Sequence, residues 1–353
     1  MHPALPLPPD GETGRVPGAL LVRGDCDDTT WNDVLSRMGA LPGMVAHTPG
    51  QPLPPARGPI PRRLLVAQDP AWRGAVPVEV SQALSGEGAW LPDLVLIADR
   101  GTTRDPALRP LTAFLPSDDD LYRFRITPRQ VAMTYLVMHR PGIEDTLDHH
   151  KECGAAEVEL EPGESYEDWL DGSPDVMGDV LETADHPPCY QPPAAPLPVI
   201  TQNNWGLLVR TDFSDDRAWA ALAADADRLD PRIETPEDHQ PYVQIVDDPA
   251  FAGATPEQVM AIVRPNEDEE EETGEAVVVI ADQASMGGSD RTVLVVPLED
   301  NVGWSFRLPP DKVRSMAANL FIGNNDISDW MRQGSPDGPA VMTERERRSW
   351  WSR

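Results

Sequence analysis

Aspartate stands at the end of three successive apolar runs, and the pattern occurs twice. In the first half these residues are Asp25, Asp69 and Asp99; in the second they are Asp212, Asp248 and Asp282. The preceding runs, 19–23, 63–67 and 94–98, then 207–210, 242–246 and 276–281, read as buried strands. If the three strands of a half run parallel with crossover helices, their C-terminal ends share one edge, where α/β proteins hold ligands. Three carboxylates on that edge could bind a divalent cation such as Mg²⁺. The simpler reading is that each aspartate caps the helix or turn that follows it. The Asp-Pro steps at 69–70 and 248–249 suit such a turn.

Arginine accompanies the aspartates. Arg23 and Arg210 end the first strand of each half, and Arg125 and Arg307 lie on the fifth. Each either neutralises a nearby carboxylate or grips an anionic ligand. A phospho-receiver would need a lysine after the last strand. The sole candidate, Lys312, falls at a helix start, and the first half has none. The segment His149-His150-Lys151-Glu152-Cys153 packs metal-ligand types together, but no second cluster stands at a zinc spacing, so it reads as linker. Neither half carries a nucleophile elbow, a Walker loop, a GxGxxG turn or a Cys/His pair. His139 and His239 stand at unmatched places, which argues against a shared histidine-based device.

The elements that must position these residues repeat in order. The stretch Leu207-Leu208-Val209-Arg210-Thr211-Asp212-Phe213-Ser214-Asp215-Asp216-Arg217-Ala218-Trp219 echoes Leu20-Leu21-Val22-Arg23-Gly24-Asp25-Cys26-Asp27-Asp28-Thr29-Thr30-Trp31. Both read as a strand, an acidic tip and a helix whose tryptophan faces the core. The second strand of each half runs into Asp-Pro-Ala-Trp or Asp-Pro-Ala-Phe. Thr127-Pro128-Arg129-Gln130 and Thr255-Pro256-Glu257-Gln258 open helices with a cap and a proline at the first position. Gly323 ends the last helix. The proline-dense stretch 39–61 reads as a long loop.

The predicted architecture is α/β: two tandem copies of a small mixed-sheet domain in β-α-β-α-β-β-β-α order. The boundaries are a loose lead-in over 1–17, a first repeat over 18–147, an acidic, proline-rich linker over 148–203, a second repeat over 204–335, and a tail over 336–353.

The ordered segments LLVRTDFSDDRAW, VDDPAFAGATPEQV, VVVIADQ, WSFRLPPDKV and ANLFIGNNDISDW resemble a small actinobacterial family of domains of unknown function, over roughly residues 206–332. The first repeat resembles it more loosely over 19–147. There Tyr135-Leu136-Val137-Met138-His139-Arg140 replaces the segment Asn319-Leu320-Phe321-Ile322-Gly323-Asn324. The resemblance implies a fold and carries no activity with it.

Composition narrows the function classes. A net charge of −30 opposes binding to nucleic acid or anionic membrane and suits a basic protein partner or plain solubility. No run approaches the roughly 18 apolar residues of a membrane span. No secretory leader is evident at the N-terminus. Cys26, Cys153 and Cys189 form no CxxC pair, which fits a reducing, cytoplasmic setting. Only two of the 29 basic residues, Lys151 and Lys312, are lysines, as a high-GC genome would produce. The basic, aromatic C-terminus, with Arg347, Arg348, Trp350 and Trp351, could dock onto a partner. The expected function is a non-catalytic cytoplasmic protein-interaction protein of adaptor or immunity type, with no cofactor. The competing expectation is a Mg²⁺-dependent enzyme, or a nucleotide- or anion-binding protein, using Asp212, Asp248 and Asp282.

Overall fold

Parallel pairing of three apolar runs builds the centre of each half. The computed structural model describes residues 12, 15–49, 51–56, 58–84, 90–117, 121, 123–140, 142–153, 190–203, 206–229, 242–266, 276–287, 291–299, 302, 305–327 and 329–330. The chain divides into two units: Pro188–Pro192 groups with the first, and the chain from Pro193 onward with the second.

In the first unit the strands are β1 (Gly18–Arg23), β2 (Met44–Ala46), β3 (Arg63–Ala67), β4 (Leu94–Ala98), β5 (Leu111–Phe114) and β6 (Phe124–Ile126). They form one sheet in the order β2-β3-β1-β4-β5-β6. β1 lies parallel between β3 and β4, with Leu20 opposite Leu65 on one side and Val95 on the other. β5 and β6 return antiparallel. The central strands are buried on both faces, which is why their sequences show continuous apolar runs rather than alternation. Leu20, Val22, Leu65, Trp72, Val80, Val95 and Phe114 share one core. The helices are α1 (Asp28–Met38), α2 (Pro77–Leu84), α3 (Arg100–Arg104), α4 (Pro128–Val137) and α5 (Ile143–Cys153), and α1 packs on α4.

The second unit has β7 (Ile200–Gln202), β8 (Gly206–Arg210), β9 (Val243–Val246), β10 (Val263–Pro265), β11 (Val277–Ala281), β12 (Val293–Pro297) and β13 (Phe306–Leu308). Its main sheet runs β13-β12-β11-β8-β9, with β9, β8 and β11 parallel, and β7 pairs with β10 in a second small sheet. The helices are α6 (Asp216–Ala226), α7 (Pro256–Met260), α8 (Gln283–Gly287) and α9 (Val313–Phe321). A Cβ on Gly206 would lie 2.8 Å from the Ala317 methyl, so glycine is what lets α9 press against β8.

The two-copy, mixed-sheet α/β architecture is therefore as expected, with four corrections. The stretch 39–61 contains β2, whose three residues are too few to show a period and pair parallel with β3. The described residues of the lead-in are anchored: Glu12 accepts two hydrogen bonds from the buried Arg63 guanidinium at 2.9 and 3.1 Å, Arg15 pairs with Asp93 and Glu144, and the Pro17 carbonyl accepts from Arg63 N. The stretch 148–203 is not linker throughout. α5 runs through His149–Cys153, Tyr190 is buried and bridges to Gly39, and 200–202 is β7. Short helices α3 and α8 follow the third parallel strand of each unit, where the sequence suggested a direct strand-to-strand passage.

Arg62, just before β3, ends α4 from outside, because its guanidinium donates to the Tyr135 and Leu136 carbonyls. Burial pushes its pKa down to about 10, still cationic at neutral pH. Among the described residues no helix is long and apolar enough to cross a membrane.

Candidate functional site

Parallel β1, β3 and β4, and likewise β8, β9 and β11, do bring the candidate aspartates to one edge of each sheet. What each carboxylate does there is local. Asp99 caps α3 through the Thr102 backbone N–H at 3.1 Å, and the Thr102 hydroxyl accepts from Asp99 N in return. The other carboxylate oxygen accepts from Arg125 on β6 at 2.8 Å and from Thr112 on β5 at 2.6 Å. Asp282 repeats this arrangement. It accepts from Ser285 N at 3.1 Å and is gripped by both terminal nitrogens of Arg307, at 3.1 and 2.5 Å. The Thr102 and Ser285 hydroxyls donate onward to the carbonyls of Pro110 and Thr292, which precede the next strand. One network thus ties a parallel strand end, a short helix and the antiparallel return in both units. Burial raises the Asp282 pKa, but hydrogen bonds and charge from Arg307, with Ser285, outweigh it and hold the carboxyl below its ordinary value.

The two networks differ in depth. A Cβ on Gly101 would meet a terminal nitrogen of Arg125 at 2.9 Å, and the second unit has Ala284 at the corresponding place. The Arg125 side chain is 5% exposed and that of Arg307 33%.

A second repeated cluster forms at the first strand end. Arg23 lies 5.8 Å from the Trp31 ring centre and pairs with Asp28, while Arg210 lies 5.4 Å from Trp219 and pairs with Asp216 at 2.6 Å. Arg210 is also covered by Phe213, at 4.2 Å, and bonds Asp247 at 3.2 Å. The tryptophans are buried as expected, yet their indole N–H groups donate to Gln68 at 3.3 Å and to Asp247 at 2.9 Å. The arginines therefore neutralise carboxylates one helical turn or one strand away; the side chains of Asp25 and Asp212 lie outside their pairs. The Asp212 main-chain carbonyl, not its carboxylate, accepts from Arg210.

Three of the four remaining aspartates are turn formers. Asp69 and Asp248 accept from Ala71 N and Ala250 N, each at the head of a short 3-10 turn that buries Trp72 or Phe251. Asp212 accepts from Ser214 N at 2.8 Å, and Asp25 pairs with Arg100. Capping and turn bonds occupy Asp69, Asp99, Asp212, Asp248 and Asp282, and arginine pairs occupy Asp25, Asp99 and Asp282. Among the described residues no group of three His, Cys, Asp or Glu side chains is arranged to hold a metal ion, so the strand-end trio does not assemble as a carboxylate cluster. Lys312 pairs with its neighbour Asp311 at 3.7 Å. Cys26 sits beside Arg23, yet burial raises its thiol pKa, the reverse of what a nucleophile needs. Asn319 and Asn324 bond each other at 2.7 Å. Arg347, Arg348, Trp350 and Trp351 lie outside the described residues.

Three participants escape a search for strand-end acids: Thr102, Ser285 and Asp247. The first two were readable as a repeated Asp-x-x-Ser/Thr spacing after the third strand. Asp247 was hidden because its counterpart, Gln68, is neutral.

Fold and edge together define a duplicated α/β module whose strand-end polar groups are tied to one another. The family described as "Domain of unknown function (DUF6924)" matches residues 18–136 and 206–339, and the chain belongs to that family as two copies. The comparison with curated proteins found no match.

Proposed function

We propose that this is a non-catalytic, cytoplasmic protein-interaction protein of adaptor or immunity type, from an actinobacterial source. The observation that carries this reading is the closed bonding of the strand-end edge. Asp99 and Asp282 serve as helix caps and arginine partners, Asp69 and Asp248 hold turns, and Arg210 is enclosed by two aromatic rings and two carboxylates. Asp99, Asp282 and Arg210, so committed, would need to break structural bonds before handling a substrate or a metal ion. Support for a protein partner comes from charge: at −30, the surface favours basic proteins and repels polyanions. The arginine-over-lysine bias fits a high-GC actinobacterial genome.

The test uses the full-length chain. Calorimetric titration with Mg²⁺ should give no saturable heat, and affinity capture from the native cell should recover a basic protein in stoichiometric amount. Saturable Mg²⁺ binding that Asp282→Asn abolishes would overturn the reading in favour of the metal-dependent alternative.

A further inference from the structure

Among the described residues the two units differ at one sheet edge. In the first, β2 covers β3. The Leu64 N–H donates to the Gly43 carbonyl at 3.2 Å, and the Val66 carbonyl accepts from His47 N at 2.7 Å. In the second unit the corresponding strand, β9, ends the sheet, and among the described residues no strand pairs with its outer side. The shared Asp-Pro step aligns Leu64 with Val243 and Val66 with Ile245. The Tyr242 carbonyl points inward and accepts from Gly206 N, so alternation turns the main-chain groups of Val243 and Ile245 outward. Those are the two positions that β2 satisfies in the first unit. Exposure follows the difference: Val66 is 5% exposed and Ile245 41%. An edge that no described strand covers, with an exposed branched side chain, is a template for strand addition.

Charge selects the occupant. β9 runs directly into Asp247 and Asp248, and Asp247 stands where the covered edge has the neutral Gln68. Asp248 is exposed, and the Asp247 side chain keeps 46% of its exposure. We propose that the outer edge of β9 takes an added parallel strand from a basic partner protein, an extended segment with an apolar residue against Ile245 and Lys or Arg following it against Asp247 and Asp248. Main-chain bonds to Val243 and Ile245 supply the affinity, and the acidic end fixes direction and charge. A second copy of this chain suits the edge poorly, because like-charged chains repel.

The proposal rests on the protein-interaction reading and names the surface that serves it. The test uses a fluorescein-labelled peptide carrying the sequence of residues 43–47 followed by three lysines, titrated into the full-length protein by anisotropy. The expected result is one saturable site, weakened at least tenfold by Ile245→Asp and absent when three glutamates replace the lysines. Ile245 is exposed, so the variant should keep its circular dichroism and thermal midpoint. No binding, or equal affinity in Ile245→Asp, overturns the proposal. So does a homodimer that Ile245→Asp dissolves, which would give the edge to a second copy. If the basic protein captured from cells is recovered equally by wild type and Ile245→Asp, the edge is excluded while the protein-interaction reading stands.

Discussion

The paired networks at Asp99 and Asp282 make opposite demands on their arginines, and the difference is measurable. Arg125→Met leaves the Asp99 carboxylate against Thr102 and Thr112 with its cation gone from a buried site. The expected loss is about 3 kcal/mol by urea unfolding. Arg307→Met removes a pair that water reaches on both sides, so about 1 kcal/mol is expected. Equal losses would mean that Gly101 does not set the depth of the first network. Acid should reveal Asp282 separately. Its carboxyl is held below the ordinary 3.8, so folding is favoured while the group is ionised in both states, above that value. The contribution falls away as pH drops from about 4 through the lower folded value. Asp282→Asn has no such proton to take up, so its stability should depend less steeply on pH below 4, by urea midpoints across pH 2–5.

At the scale of elements, close approach is the sensitive feature. Gly206→Val should push α9 off β8 and cost about 1–3 kcal/mol, read as a lower urea midpoint, because a Cβ there already falls within overlap distance of Ala317. The elements that the sequence made legible share one property: their signal is contained within themselves. Continuous apolar runs mark β1, β3, β4, β8 and β11, and the Thr-Pro caps at Thr127 and Thr255 mark α4 and α7, both realised with side-chain bonds. What stayed hidden depends on partners distant in sequence. β2 and β7 are three residues each and exist through pairing with β3 and β10. The candidate site was legible in position and not in role. Strand-end aspartates are visible, but whether Asp282 faces a ligand or Arg307 depends on a return strand some 25 residues downstream.

At the scale of the whole chain, two units with separate main sheets should unfold separately. Calorimetry of the full-length protein should resolve two transitions, and Arg125→Met should lower one of them while leaving the other in place. A single transition that shifts as a whole would show that the units unfold as one. The strand-end networks stand in both copies, and among the described residues only the first main sheet carries a further strand, β2, at this edge. The anchored segment ahead of the first sheet also sets where this protein can be cut. The family match begins at residue 18, yet Glu12 and Arg15 lie upstream of it and hold Arg63, Asp93 and Glu144. A truncation made at the family boundary would remove the carboxylate that pairs with the Arg63 guanidinium over Trp90. For expression and crystallisation, the usable boundary of the first domain therefore lies before Glu12, and a tag should be joined upstream of that residue.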